Sequence, residues 1–241
     1  MAKKQTNAKR FINAYNNIDH ALRTQYNLKR SMSFSDLIRK AVLVNQIVRK
    51  FEDELVDYGR LRNAIVHRSN EEFLIAEPHD EVVEDIERIE RLITTPPNAL
   101  NTICREYVLT VDADVSLKSV IKLMSAKSFS NIPVYKDGTL LGVANGQKIL
   151  ECVGKALIKN GSVDEYLEKT KIYEVLNNDS PFKQYEVVDA KATVDEVLNL
   201  FYQNRKLVAV LITKSGSMQE APLGIITTTN VVEMNEILDN Y

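Results

Sequence analysis

The chain has 241 residues, 44% of them hydrophobic and 27% charged, with a formal net charge of −2. That is enough apolar material for more than one buried core, and it excludes a disordered chain. With no apolar run of about 18 residues, no signal peptide and two cysteines lacking metal-ligand spacing, the composition predicts a cytoplasmic protein with reduced thiols, no metal and no membrane contact.

The small net charge hides an asymmetry. Residues 1–70 carry 14 Lys and Arg against 6 Asp and Glu, a balance of 14 − 6 = +8, which leaves −10 on the rest. A basic first domain ahead of an acidic second one is the pattern expected when only the first meets a polyanion such as RNA, although a solvated helix surface gives the same count.

In chain order, Phe11, Ile12, Tyr15, Ile18, Leu22 and Tyr26 recur at three and four residues and predict a first amphipathic helix over roughly 9–28. Ser33-Phe34-Ser35-Asp36 has the character of a capping box. The helix it opens carries Leu37, Ile38, Ala41, Val44, Val48, Phe51, Leu55 and Tyr58 on one stripe, up to Arg62-Asn63-Ala64-Ile65-Val66-His67. Beyond Pro78 a further helix turns Val82, Val83, Ile86, Ile89 and Ile93 inward and stops at Thr94-Thr95-Pro96-Pro97, where proline removes a backbone donor and disfavours helix in the residue before it. This stop divides the chain into a helical domain, 1–97, and a second domain, 98–241, for an α+β protein overall.

Arg62, Asn63 and His67 are the candidate catalytic residues. Arg keeps its charge and offers a planar fork to a phosphate, while histidine titrates near neutrality and can move a proton. On a helix turning about 100° per residue, Asn63 and His67 lie one turn apart, but Arg62 diverges from His67 by about 140°. One chain therefore aims them only partly together, and two helix ends face to face would place two Arg and two His around one phosphodiester. The Leu-Arg-Asn-Ala-Ile-Val-His wording, on a long helix of a small helical domain, resembles the HEPN superfamily. That resemblance implies a metal-independent endoribonuclease built across a homodimer, with Arg62 stabilising charge on phosphorus, His67 moving the proton and Asn63 holding an oxygen or the imidazole. The bland reading pairs Arg62 with a carboxylate such as Asp57 and lets His67 end the helix. His20 and His79 read as solvent-exposed, and Glu52-Asp53-Glu54 as a solvated face.

Beyond the boundary the chain repeats itself. Asp112-Ala113, followed by Ser116 to Leu123, matches Asp189-Ala190, followed by Thr193 to Leu200, a shift of 189 − 112 = 77 residues. Each copy continues with a strand (Asn131-Ile132-Pro133-Val134-Tyr135; Leu207-Val208-Ala209-Val210-Leu211), a turn, a second strand opening on Leu-Gly (Leu141-Gly142; Leu223-Gly224) and a helix. The first turn is a tight Asp137-Gly138 and the second a longer loop through Gly216. These words, arriving twice in order, resemble a tandem pair of CBS domains, a Bateman module, with repeat one over about 105–155 and a linker and repeat two over about 170–241. The resemblance implies a regulatory ligand in the clefts between repeats, an adenine nucleotide such as AMP, ADP, ATP or a cyclic dinucleotide, and no cofactor for chemistry.

A ligand there needs a hydroxyl and usually a carboxylate where the last strand meets its helix, because the helix start offers N–H groups to phosphate. Thr227 matches the hydroxyl position and Asn230 stands where Asp is usual. The first repeat has Asn145 and Lys148 at those places, and Lys148 and Arg205 are phosphate candidates. The sequence thus predicts a nucleotide-sensing regulatory protein whose CBS pair controls a dimeric ribonuclease. The alternative is a non-enzymatic sensor or dimerisation module acting on a protein partner.

Overall fold

A computed structural model describes residues 5–66, 76–104, 107–158, 162–176 and 183–241. The chain forms two compact units, Met1–Pro97 with Glu236–Tyr241, and Asn98–Asn235.

The first unit is helical. Helix α1 (Asn7–Gln25) starts where the Thr6 side chain accepts the Lys9 N–H, and it buries Phe11, Ala14, Ile18 and Leu22. Its neighbours are α2 (Phe34–Ala41), α3 (Gln46–Lys50), α4 (Glu52–Val66) and α5 (Asp80–Thr94). The Phe11 ring meets Tyr58 of α4 edge-on, with centroids 5.7 Å apart. The Arg10 guanidinium forks onto Glu87 of α5 through Nη2 at 2.7 Å and Nε at 2.9 Å. Within the same unit Tyr241 donates its hydroxyl to the Thr95 carbonyl, and Lys50 pairs with Asp239.

The single second helix expected from Ser33 to His67 is instead three helices, broken at Asn45 and again at Phe51, and the first break has its cause in Asn45. Its backbone is extended, its side chain accepts the Val48 N–H at 2.9 Å, and its amide donates to the Tyr26 hydroxyl at 3.0 Å. A buried asparagine that caps a new helix substitutes for the interrupted ladder. Val44, which the stripe placed inward, is consequently 61% exposed.

The second unit holds α6 (Ala99–Ile103), then β1 (Val111–Asp112), α7 (Leu117–Lys127), β2 (Asn131–Lys136), β3 (Thr139–Asn145), α8 (Gly146–Ile158) and α9 (Val163–Lys169). A 3-10 turn at Ile172–Val175 follows, then β4 (Tyr185–Asp189), α10 (Val194–Gln203), β5 (Ala209–Thr213), β6 (Gly224–Thr227) and α11 (Val231–Asn240), whose residues from Glu236 on belong to the first unit. Each repeat is thus strand, helix, two strands, helix. Its sheet runs β1-β2-β3 or β4-β5-β6, the first pair parallel and the second antiparallel.

The repeated words correspond to repeated local physics. Ser116 caps α7 by accepting the Ser119 N–H. Thr193 caps α10 in a full capping box with Glu196. Asp137 and Gly138 both take positive φ, 49° and 76°, as a two-residue hairpin of this twist requires. The two sheets share a core in which Leu140 and Val143 of β3 pack with Ala209 and Leu211 of β5. The Leu140 N–H donates to the Met218 carbonyl of the other repeat at 2.8 Å.

Candidate functional site

A cavity of about 390 Å³ lies within the second unit. Three sets of residues build it: Ile103 and Cys104 with Tyr107 to Leu109, the connection from α7 into β2, and the passage from β6 into α11. The first connection turns sharply because Ser128, after the last residue of α7, is left-handed at φ 56°. The second turns at Thr228–Asn230, where the Asn230 Oδ1 accepts the Thr227 N–H at 3.0 Å.

The walls differ in chemistry. Ile103, Val108, Leu109, Phe129, Pro133 and Ile225 supply apolar surface, with Tyr107 alongside, and Ser128, Ser130, Asn131, Thr227, Thr229, Asn230 and Glu233 supply polar groups. Thr227 Oγ1 and Thr229 Oγ1 are 2.7 Å apart, and the Asn230 amide donates to the Glu233 carboxylate at 3.3 Å. Burial pushes the Cys104 thiol of the same wall up to about 11, the Ile225 carbonyl opposing slightly. An apolar slot of this size, ending in hydroxyls, amides and one carboxylate, suits a flat apolar ring joined to a hydroxylated group.

Of the ligand residues predicted from sequence, the structure brings Thr227 and Asn230 together on this cavity. Asn145 stands behind it, donating to the lining residue Asn131 at 2.8 Å and accepting the Gln147 N–H at the start of α8. Lys148 Nζ points to Glu151 at 3.3 Å, Arg205 is exposed in the turn after α10, and neither lines the cavity. Sequence reasoning missed Glu233, one helical turn beyond Asn230, although an i, i+3 reading of the helix start would have found it. It also missed Ser128, Ser130 and Ile103, which only the packing of distant segments brings in.

In the first unit, Arg62 and Asn63 end α4. Arg62 Nη1 is 3.5 Å from Asn63 Oδ1 and its guanidinium carbon 5.8 Å from the centroid of the Tyr15 ring. Its Nε is buried with no acceptor among the described residues. Asp57, the partner expected of Arg62 on the bland reading, instead bonds Arg60 at 2.8 Å. Burial chiefly, with the nearby Asp19 charge, pushes the Tyr15 hydroxyl up to about 12 against the opposing pull of Arg62. His67 lies outside the described residues. Among those residues no group of three or more His, Cys, Asp or Glu is placed to hold a metal ion, and no helix is long and apolar enough to cross a membrane.

Two strand-helix-strand-strand-helix repeats that share a core define a duplicated α/β module with a half-polar cavity. Residues 100–155 match the family model of the CBS domain, and the second repeat has the same sheet topology as the first. Among solved structures, the chain is similar to the CBS domain pair of protein MJ0100, crystallised with 5′-methylthioadenosine and S-adenosyl-L-methionine, at 15% identity, TM-score 0.44, over 58% of this chain and 97% of that one. It is similar to a CBS domain-containing protein from Kribbella flavida at 16% identity, TM-score 0.45, over 58% and 99% of the two chains. The third is CbpB in complex with c-di-AMP, at 18% identity, TM-score 0.46, over 66% and 99%. No curated protein matches the chain.

Proposed function

We propose that this chain is a nucleotide-sensing regulatory protein in which the CBS pair binds an adenine nucleotide and controls a HEPN-like, metal-independent endoribonuclease formed by a homodimer of the helical unit. The observation that carries the first half is the cavity. Its apolar wall takes the purine, and its hydroxyls, amides and carboxylate take the sugar and its substituent. Control follows from chain connectivity, because the chain passes between the units at Pro97–Asn98 and again at Asn235–Glu236. A ligand then shifts the helical unit to the extent that it binds two arrangements of the chain with different affinity.

The nuclease half is supported by Arg62. Its expected partner Asp57 is engaged by Arg60, so the guanidinium at the end of α4 is not neutralised by that carboxylate. It can meet an RNA phosphate while the 2′-hydroxyl attacks phosphorus and the bond to the 5′-oxygen breaks, with His67 taking the 2′ proton, the 5′-oxygen leaving as a hydroxyl with a proton from solvent, and Asn63 holding an oxygen or the imidazole.

Two measurements on the full chain test the two halves. Calorimetric titration with AMP, ADP, ATP, S-adenosylmethionine and cyclic dinucleotides should identify a ligand that Thr227→Ala weakens, and silence across the panel would remove the sensing half. RNA cleavage in EDTA, giving 2′,3′-cyclic phosphate ends, should vanish in Arg62→Ala and His67→Ala with the melting temperature nearly unchanged. Nucleotide binding with no cleavage would leave the non-enzymatic sensor acting on a protein partner.

A further inference from the structure

We propose that the ring of Tyr15 positions Arg62 for an RNA phosphate, holding the guanidinium by its aromatic face and so leaving the charge intact. The inference rests on the nuclease reading above and adds a positioning residue to it.

An arginine that is to meet a phosphate needs a holder that does not cancel its charge. A carboxylate holds a guanidinium tightly but neutralises it, whereas an aromatic face attracts the cation through the ring quadrupole and leaves it charged. Helix α4 shows both cases two residues apart. Arg60 is paired with Asp57 at 2.8 Å. Arg62 instead lies over the Tyr15 ring, its guanidinium carbon 5.8 Å from the centroid. Its Nε is buried with no acceptor among the described residues, while Nη1 reaches the neighbouring Asn63 at 3.5 Å. The charge of Asp19 also reaches Tyr15, but that carboxylate is forked by Arg23 at 2.8 Å through both oxygens.

The ring is itself fixed. Tyr15 is 8% exposed, and its centroid lies 4.4 Å from that of Phe34, the first residue of α2. Phe34 lies beside Gly59 of α4, where an added Cβ would stand 3.2 Å from Phe34 Cδ1. Gly59 and Arg62 are three residues apart on that helix and so share a face. The helix that carries the cation therefore also seats the ring that stacks on its holder.

The test has two arms on the full chain. In a proton–nitrogen NMR spectrum the Arg62 Nε–H signal, assigned by its loss in Arg62→Lys, should be displaced upfield by the ring and exchange slowly with water. Both properties should persist in Tyr15→Phe, which keeps the ring, and vanish in Tyr15→Leu. RNA cleavage in EDTA should follow the same order. Tyr15→Leu should lower kcat about tenfold or more with KM within about threefold, since a misplaced Arg62 loses its grip on charge that develops only in the transition state. Tyr15→Phe should stay within about threefold of the wild type in both constants. Circular dichroism melting establishes that each variant is folded at the assay temperature. An Arg62 Nε–H signal at an ordinary position and in fast exchange in the wild type overturns the proposal without any variant, and so decides the matter even if Tyr15→Leu fails to fold. A folded Tyr15→Leu protein that cleaves like the wild type overturns it too and leaves the nuclease reading standing. A wild type that cleaves no RNA removes the nuclease reading and this role with it, whatever the signal shows.

Discussion

Among the described glycines of the second unit, Gly224, beside the cavity, leaves the least room for a side chain. A Cβ built there would clash with Cys104 Sγ and stand 3.0 Å from both Cys104 Cβ and Leu100 Cδ1. At Gly142, the corresponding Leu-Gly of the first repeat, the nearest atom is Leu176 Cδ1 at 3.4 Å, an ordinary contact. Neither glycine is left-handed, so Ala at either site gains about 0.4–1 kcal/mol by restricting the unfolded chain. Overpacking a filled core costs about 1–3 kcal/mol. The balance predicts that Gly224→Ala destabilises by about 1–2 kcal/mol while Gly142→Ala is neutral or slightly stabilising. For a chain of this size that lowers Tm by roughly 2–8 °C in the first variant only. Cys104→Ala in the Gly224→Ala background removes the closest contact but not those at 3.0 Å, so it should recover part of the loss, measured as non-additivity in a double-mutant cycle. The readout is thermal melting by circular dichroism of all four proteins and the wild type. Wild-type stability of Gly224→Ala, or an equal loss in Gly142→Ala, would refute the steric argument.

Mixing Arg62→Ala protein with His67→Ala protein should restore part of the cleavage activity, because every mixed dimer of a two-fold composite site keeps one Arg and one His; a fully active monomer would rule that site out. Asn45→Ala should cost about 1–2 kcal/mol in urea unfolding, since it removes a helix cap and leaves a buried end of α3 uncapped. The Cys104 thiol is held at about 11 against an ordinary 9.0, so the folded state binds that proton more tightly than the unfolded one. Its contribution is complete below pH 9 and disappears as pH rises through 11. Melting temperatures measured from pH 8 to 11 should therefore fall less steeply in Cys104→Ala than in the wild type.

Local signals carried the sequence reading a long way. Ser33, Ser116 and Thr193 cap helices that their own neighbours announce, Asp137-Gly138 forms a turn that only a few residue pairs favour, and the repeat spacing names the duplicated topology. What escaped depends on partners far away in the chain. The break at Asn45 needs Tyr26 from the end of α1 to complete it. β1 is two residues long and exists only because β2 lies parallel to it, and β4 needs β5 in the same way. The cavity was half legible for the same reason: Thr227 and Asn230 belong to a local strand-to-helix word, whereas Ser128, Ser130 and Ile103 reach it only through folding.

The shared core of β3 and β5 has a kinetic meaning as well. Leu140 and Val143 are covered by residues of the other repeat, and the Leu140 amide is satisfied by the Met218 carbonyl. Opening either sheet strips both of their cover, so neither three-stranded layer has a low-energy route to exchange its amides alone. A nucleoside held by Ser130 on one side and Thr227 on the other should therefore slow hydrogen exchange in β2, β3, β5 and β6 together, and by a common factor.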